Sequence, residues 1–259
     1  MRDERPWDRG VSHLLSLIAH LFSMASMAIN KAQMPIKLIC FDLGRVLVRI
    51  CDTWAHACEL AGVPVPPMPL PDDVLRQVRQ LVHAHEIGQL THEQFCQQMS
   101  PHLGITPEQV DRMMHGFLLN VYPGALDLLA ELKSAGYKTA CLSNTNETHW
   151  QNMCDPNHPA WLPFGNFDYA FGSQEIGLRK PSDEIYRHVE STTGFRGDQI
   201  LFFDDIEENV QAARNNRWHA EVIARDHEPI RQIREHLKRH GVLTNADKGN
   251  LRPEDQAGR

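Results

Sequence analysis

Short apolar runs alternate with amphipathic stretches along most of this chain, and each run is long enough for one buried strand. The runs are nearly continuous in apolar residues, which is typical of strands buried on both faces, as in a parallel sheet. The five predicted strands are IKLICFD (36–42), KTACLSN (138–144), DYAFGS (168–173), QILFFDD (199–205) and HAEVIA (219–224).

Helical patterns separate these predicted strands. The stretch PGALDLLAELKSAG begins at Pro123 and ends at Gly136, which is the usual punctuation of a helix. The stretch PSDEIYRHVESTTG offers Ser182 as an N-cap and Gly194 as a stop, and IEENVQAARNNRW is a third helical pattern. Alternation of strands and helices at this spacing predicts right-handed βαβ units and a doubly wound α/β fold.

The pattern changes between residues 51 and 120, where no strong strand signal occurs. A proline-rich break, VPVPPMPLP, precedes a helical stretch with a turn at Gly88 and a new helix start at Thr91. We therefore predict a helical cap over residues 51–120, inserted into a core that is formed by residues 35–50 and 121–244.

The two ends of the chain differ from the core. Residues 1–34 are interpreted as an N-terminal extension that adds little to the fold, and residues 245–259 are polar and predicted to be disordered. The apolar stretch over residues 13–29 is short and interrupted by His and Ser, so an extension is favoured over the alternative of a signal peptide or membrane anchor. We accordingly expect no membrane partner.

Composition narrows the functional classes. A chain of 259 residues can bury a sizeable core, and a net charge of −7 argues against a nucleic-acid surface, which needs clustered Lys and Arg. The six cysteines form no CxxC pair, and Cys40 and Cys141 lie inside predicted strands. Buried, reduced thiols and a cytoplasmic location are therefore expected. Nothing in the sequence indicates an oligomeric state.

Polar residues stand where three predicted strands end, and one further cation precedes a predicted helix. Ligands of doubly wound sheets bind at the carboxyl ends of the strands, at the point where the strand order reverses. The joint occurrence of these residues is therefore more informative than any one of them. In chain order they are Asp42, Ser143, Asn144, Lys180, Asp204 and Asp205.

Each of these groups has a chemical role if the substrate is a phosphate ester. Asp42 can attack phosphorus as a carboxylate nucleophile. Asp42 and the pair Asp204–Asp205 repel one another unless a hard cation joins them, and Mg²⁺ prefers such oxygen ligands. Ser143 and the backbone around Asn144 can donate hydrogen bonds to phosphoryl oxygens, while Lys180 offsets negative charge.

Four ordered motifs, FDLGRVLV, CLSNTN, GLRKP and FFDDIEEN, resemble those of the haloacid dehalogenase (HAD) superfamily. The resemblance extends from about residue 35 to residue 224. It implies a Rossmann-like core, a helical cap inserted after the first motif, and Mg²⁺-dependent phosphoryl transfer to a small-molecule phosphorylated substrate.

The resemblance also assigns roles to individual residues. It implies that Asp42 is the nucleophile and a metal ligand, that Ser143 binds phosphate through its hydroxyl, and that Lys180 orients the phosphate. It further implies a main-chain metal ligand at the carbonyl of Gly44. Of the acidic pair, Asp204 is the expected direct metal ligand, and Asp205 a direct or water-mediated one.

Gly44 departs from the pattern of most phosphatases in this superfamily, which carry there a second Asp that protonates the leaving alkoxide. Glycine cannot donate this proton. The combination of FDLG with LSNTN resembles the branch that includes bacterial sugar-1-phosphate phosphatases, which also have Gly at this place. Candidate proton donors in the predicted cap are His83, His85 and Glu86.

Three functions remain open on the sequence. A Mg²⁺-dependent phosphatase of a small phosphorylated metabolite, such as a sugar phosphate, is favoured. A dehalogenase-type hydrolase also works without the second Asp, but the retained Asp204–Asp205 pair argues for a metal. A non-catalytic binding protein of this fold is the third alternative, and the intact set of Asp42, Ser143, Lys180 and Asp204 argues against it.

Overall fold

The computed structural model describes residues 35–67, 69–225 and 228–243, so the predictions for residues 1–34 and 245–259 lie outside the described residues. The strands are β1 (Leu38–Phe41), β2 (Val48–Ile50), β3 (Leu118–Val121), β4 (Lys138–Ser143), β5 (Tyr169–Gly172), β6 (Ile200–Asp204) and β7 (His219–Val222). The helices are α1 (Trp54–Ala61), α2 (Asp72–Glu86), α3 (His92–Leu103), α4 (Pro107–His115), α5 (Ala125–Ser134), α6 (Glu147–Cys154), α7 (Ser173–Ile176), α8 (Asp183–Thr193), α9 (Glu207–Asn215) and α10 (Pro229–Arg239). None of these helices is both long and apolar enough to cross a membrane.

Five strands form a parallel sheet in the order β5-β4-β1-β6-β7. They are the five strands predicted from the apolar runs, and the predicted α/β fold is confirmed. The strand order reverses at β1, which is flanked by β4 on one side and β6 on the other. The carboxyl end of β1 is therefore the place where a ligand site is expected.

Strand β1 shows why the runs are continuously apolar. Ile39 and Phe41 pack into a cluster with residues of α5 and α10, whereas Leu38 and Cys40 pack into a second cluster with residues of α8 and α9. All four side chains are fully buried. Because successive side chains of a strand point to opposite faces, a sheet covered on both sides needs apolar residues at every position.

Helices α1 to α4 surround a hydrophobic cluster of their own, which includes Phe95, Met99, Val110 and Met113. Strands β2 and β3 pair antiparallel. In the sequence, β2 precedes these four helices and β3 follows them. No strong strand signal marks β3 in the sequence, because this strand and its partner β2 are both too short for a long apolar run. A cap over residues 51–120 as a separate domain stays a prediction.

Candidate active site

Lys180 joins two carboxylates from neighbouring strands. Its Nζ donates hydrogen bonds to Oδ1 of Asp42 at 2.8 Å and to Oδ2 of Asp204 at 2.6 Å. The lysine is 1% exposed and Asp204 is fully buried, while Asp42 retains slight exposure. The structure thus brings together three residues that are up to 162 positions apart in the sequence.

The sheet register places the two acids side by side. Phe41 at the end of β1 pairs with Phe203 in β6, and the N–H of Asp42 donates to the carbonyl of Phe203 at 2.8 Å. Each acid follows directly on these paired phenylalanines, so both carboxylates reach the same edge of the sheet. Adjacent carboxylates in a buried place require a cation, and Lys180 supplies one.

Asp204 is held by further donors from the segment that follows it. Nδ2 of Asn209 lies 3.1 Å from each carboxylate oxygen, and the N–H of Ile206 donates to Oδ1 at 2.8 Å. Asn209 lies in the first turn of α9 and was not assigned a role from the sequence, although it is the last residue of the motif FFDDIEEN. A polar residue one turn into a helix that follows a buried acid is the signal that could have indicated it.

Asp205 points to a different partner. Nε and Nη2 of Arg225, which follows β7, both lie 2.8 Å from Oδ2 of Asp205. No pattern in the sequence indicates this ion pair, because the two residues meet only through the pairing of β6 with β7. The Asp205 side chain is nearly buried, whereas Arg225 is half-exposed.

Ser143 and Asn144 lie at the carboxyl end of β4, beside β1. Ser143 is buried and lines the same cavity as Asp42. The Asn144 side chain is engaged elsewhere: its Oδ1 accepts from the N–H of Lys180 at 2.8 Å, and its Nδ2 donates to the carbonyl of Lys180 at 2.9 Å. This side chain therefore positions Lys180, and phosphate binding by the backbone around Asn144 stays a prediction.

Burial and neighbouring charges both shift the pKa values of the groups in this site. Burial raises the pKa of Asp42 to about 7, against the lowering effect of Lys180 and with a further increase from the nearby charge of Asp204. Burial also raises the pKa of Asp205, against the effect of Arg225. Burial alone would lower the pKa of Lys180, but the charges of Asp204 and Asp42 outweigh it and hold this pKa above its ordinary value.

A cation fits this arrangement. One oxygen atom from each of Asp42, Asp204 and Asp205 lies within 4.8 Å of the other two. Among the described residues, Lys180 and Arg225 form ion pairs with these carboxylates, and the charge of Arg45 also acts on Asp205. Carboxylate oxygens in this number suit a hard divalent ion such as Mg²⁺.

A cavity of about 300 Å³ opens beside the acids, and residues of the predicted core and of the predicted cap line it. Its core side includes Asp42, Gly44 and Asp205. Apolar and aromatic side chains dominate its cap side, with few polar groups among them. The cap residues that line it are Trp54, Val82, His85, Glu86, Phe95, Met113, Met114, Phe117 and Leu118.

The three candidate proton donors of the cap differ in position. His85 and Glu86 line the shared cavity, whereas His83 lines a neighbouring cleft. Burial lowers the pKa of His85 to about 4, so its ring is neutral at pH 7. Burial raises the pKa of Glu86, although Arg179 Nη2 lies 3.0 Å from its Oε2 and opposes the increase.

Gly44 has no conformational need for glycine. Its φ lies outside the left-handed region, in contrast to Arg45, whose φ is 61°. A Cβ at position 44 would lie 3.4 Å from Cδ1 of Ile50, the end of a flexible side chain. The absence of an acid at this position is therefore not imposed by the backbone.

His149 lines the same cavity and contacts a residue of the predicted cap. Nδ2 of Asn146 donates to Nδ1 of His149 at 3.1 Å, which leaves the proton of the neutral ring on Nε2. That nitrogen lies 3.0 Å from the carbonyl of Met114, near the end of α4. Nearby, the Ser173 hydroxyl lies 2.6 Å from the carbonyl of Glu86.

The chain is similar to solved structures and to curated proteins. A HAD family enzyme from Bacteroides thetaiotaomicron, in complex with magnesium and inorganic phosphate, superposes with a TM-score of 0.60 at 25% identity, covering 74% of this chain and 96% of that one. D-ribitol-5-phosphate phosphatase from the same organism is 27% identical over 69% of this chain and 87% of its own length. An (S)-2-haloacid dehalogenase from Pseudomonas fluorescens is 26% identical over 44% of this chain and 50% of its own length.

The chain spans half or less of the length of several curated proteins that it resembles. The family match is broader. The model of the haloacid dehalogenase-like hydrolases matches residues 36–216, which include the five-stranded sheet up to β6 and the helices between. The chain therefore belongs to the haloacid dehalogenase-like hydrolase family.

Proposed function

We propose that this hydrolase is a Mg²⁺-dependent phosphatase that acts on a small phosphorylated metabolite through a phosphorylated Asp42. The observation that carries the proposal is the buried contact of Lys180 with both Asp42 and Asp204. A lysine in this place neutralises the carboxylates and can attract a phosphoryl group to the nucleophile. The relatives that act on, or bind, phosphate support the same class of substrate.

The proposed reaction has two displacements at phosphorus. A carboxylate oxygen of Asp42 attacks phosphorus, and the bond to the substrate oxygen breaks, so the substrate leaves as an alkoxide that takes up a proton. Water then attacks the phosphorus of the aspartyl-phosphate, loses a proton, and releases inorganic phosphate with the Asp42 carboxylate restored. Neither step breaks a bond between phosphorus and its three phosphoryl oxygens, whose negative charge Lys180 and Ser143 stabilise.

Mg²⁺, when bound, would neutralise charge on the phosphoryl oxygens and on the carboxylates. Asp42, Asp205 and the Gly44 carbonyl are the groups on the cavity side that could hold it. Asp204 already accepts hydrogen bonds at both oxygens, from Lys180, Ile206 and Asn209. We therefore favour Asp205 over Asp204 as the direct ligand, which reverses the order expected from the sequence.

The leaving group needs a proton that Gly44 cannot give. Of the cap candidates that line the cavity, His85 is neutral and its buried Nε2 has no hydrogen-bond partner in the described structure. Burial raises the pKa of Glu86, which favours its protonated form, and the ion pair with Arg179 opposes this. A leaving group that tolerates negative charge would depend least on either residue.

A screen of phosphorylated metabolites tests the function. Phosphate release should be measured for sugar phosphates, polyol phosphates and an aryl phosphate, with saturating Mg²⁺ and with EDTA. The proposal expects turnover of at least one small substrate, abolished by EDTA and restored by Mg²⁺. Turnover that is equal with Mg²⁺ and with EDTA would contradict the metal-dependent mechanism.

A dehalogenase-type hydrolysis is the second candidate, favoured by Gly44 and by the dehalogenase relatives. A halide leaves without a proton, so the missing acid would carry no penalty. The same preparation should be offered a 2-haloacid, and halide release measured with EDTA present. Halide release without phosphatase activity would favour this candidate, and binding without turnover of either class would favour a non-catalytic protein.

A further inference from the structure

A second group of metal-ligating side chains lies in the cap, outside the proposed catalytic site. Nε2 of His92 lies 2.8 Å from Oδ1 of Asp111, and Sγ of Cys96 lies 3.5 Å from the same nitrogen. One ligand atom from each of the three residues lies within 4.8 Å of the other two. In addition, Nε2 of His115 lies 3.5 Å from Oδ1 of Asp111.

The sequence places these residues in two pairs. His92 and Cys96 are four residues apart on α3, and Asp111 and His115 are four residues apart on α4. Residues at this spacing lie one above the other on the same face of a helix. Since α3 and α4 pack against each other, the two faces meet and present four donor groups to one point.

We propose that His92, Cys96 and Asp111 form a binding site for Zn²⁺ or a similar soft divalent metal, which connects α3 to α4 in the cap. Tetrahedral zinc has bonds of about 2.0–2.3 Å to N, O and S, which places ligand atoms roughly 3.3–3.6 Å apart. The 3.5 Å between Sγ of Cys96 and Nε2 of His92 lies in this range. The 2.8 Å between His92 and Asp111 is a hydrogen-bond distance, which the metal would lengthen by about 0.5 Å. His115, whose Nε2 lies 3.5 Å from Oδ1 of Asp111, is the candidate for a fourth ligand.

The chemistry of the donors separates this site from the acids around Asp42. A thiolate and an imidazole select zinc and other soft or borderline metals, and they do not favour Mg²⁺. Binding would replace the proton between His92 and Asp111 with the metal and release the thiol proton of Cys96 to solvent. Cys96 is buried, but Asp111 and His115 are partly exposed, so the metal can enter from solvent.

Metal at this position would also stabilise one wall of the active-site cavity. Phe95 precedes Cys96, lines the cavity and stacks on the ring of His85 at a centroid distance of 4.2 Å. The ring of His85 lies 5.6 Å from that of His92. A metal ion that links α3 to α4 would therefore restrict the motion of Phe95 and His85, which line the active-site cavity.

The test uses metal alone as the probe. Untagged full-length protein, freed of metal by a chelator and then held in excess Mg²⁺, should be titrated with Zn²⁺ by calorimetry and with Co²⁺ by absorption spectroscopy. Wild type should bind one Zn²⁺, melt at a higher temperature with it, and show a sulfur-to-cobalt charge-transfer band with Co²⁺. The control variants Cys154→Ser, an exposed cysteine, and His83→Gln, an exposed cap histidine, should behave as wild type.

The variants Cys96→Ser and His92→Gln should lose the band, and their affinity for Zn²⁺ should fall by more than about a hundredfold. A direct ligand should matter at least as much as the outer partners of a metal site, whose loss costs roughly 10–100-fold. If Cys96→Ser does not fold, His92→Gln decides the outcome at a partly exposed position. A wild-type protein with no band, or a band that both variants retain, would overturn the proposal. None of these measurements depends on phosphatase activity.

Discussion

The side-chain amide of Asn144 holds the backbone of Lys180 on both sides, accepting from its N–H at 2.8 Å and donating to its carbonyl at 2.9 Å. Both polar groups of the amide are used in this contact. The end of β4 thereby fixes the segment that carries the buried lysine. The geometry between Lys180 and Asp42 consequently depends on a residue that need not touch the substrate through its side chain.

Replacement of Asn144 by Ala should lower kcat with little change in KM. It removes both hydrogen bonds to Lys180, and a buried polar group without a partner costs about 1–3 kcal/mol, which corresponds to roughly a 5- to 150-fold change if expressed in the transition state. Steady-state kinetics on the substrate found in the screen would measure this. Asn157→Ala, which removes an exposed local contact with Asp155, is the matched control.

A rise in KM at unchanged kcat would contradict this account of Asn144. It would indicate instead that the side chain binds substrate directly. Folding of the variant should be checked by circular dichroism, because loss of the two hydrogen bonds also destabilises the loop.

Saturating Mg²⁺ should raise the melting temperature of the protein relative to EDTA. An ion that binds only the native state at about one hundred times its Kd stabilises that state by about 2.7 kcal/mol. The cluster of Asp42, Asp204 and Asp205 is the expected site. Asp205→Asn should reduce the Mg²⁺-dependent shift, whereas Asp127→Asn, on the exposed face of α5, should not. Equal shifts in all three proteins would place the ion elsewhere.

The substitution Gly44→Asp should increase turnover of substrates with poor leaving groups. General acid catalysis contributes a factor of about 10²–10⁴, and the native residue supplies none of it. The backbone at position 44 accepts a side chain, with Ile50 Cδ1 as its nearest neighbour. Rates on a series of substituted aryl phosphates should show a steep dependence on leaving-group pKa in wild type and a flatter one in the variant.

A flat dependence in wild type would contradict this interpretation of Gly44. It would mean that another group already donates the proton, and Glu86→Gln would then be the variant to measure. The control Gly165→Asp adds the same charge at an open position away from the cavity.

Acid should destabilise the fold between about pH 6.5 and pH 4 through His149. Burial lowers the pKa of His149 from 6.5 to about 4, although the Met114 carbonyl opposes this. The unfolded chain binds the proton more tightly, so the neutral ring stabilises the native state above pH 6.5, and this stability is lost as pH falls. The loss is on the order of 3 kcal/mol.

Urea unfolding at several pH values would measure this loss. His149→Gln should lose less stability than wild type over the same interval, while His83→Gln, at an exposed cap position, should follow wild type. His85, whose pKa is also lowered to about 4 by burial, accounts for part of the remaining pH dependence. Identical curves for His149→Gln and wild type would contradict the assignment.

The central sheet could be predicted because its strands carry a strong local pattern. Continuous apolar runs identified all five strands, and polar residues at three strand ends identified Asp42, Ser143 and Asp204. Strands β4, β1 and β6 are neighbours in the sheet, which brings their carboxyl ends together. The motifs and the topology therefore indicate the same site. The described residues contain ten helices, of which the sequence patterns indicated α2, α3, α5, α8 and α9. The side-chain caps at the starts of α1, α4 and α6 were not recognised in the sequence.

The remaining features depend on contacts between distant segments. The pairing of Asp205 with Arg225, and the proximity of His149 to the cap carbonyl of Met114, follow from packing and leave no local pattern. The ribbon of β2 and β3 is too short for an apolar run to reveal it. The use of Asn144 as a support for Lys180 could not be separated from substrate binding, since both roles favour the same residue type.

Turnover by Asp42→Asn tests the central claim most directly. The amide has nearly the shape of the carboxylate but is a poor nucleophile, so it cannot form the phosphorylated intermediate. We predict that a folded Asp42→Asn protein, with its mass confirmed to exclude deamidation, releases no phosphate in Mg²⁺ from the substrate that wild type hydrolyses. Near-normal phosphate release by this variant would contradict phosphoryl transfer through Asp42.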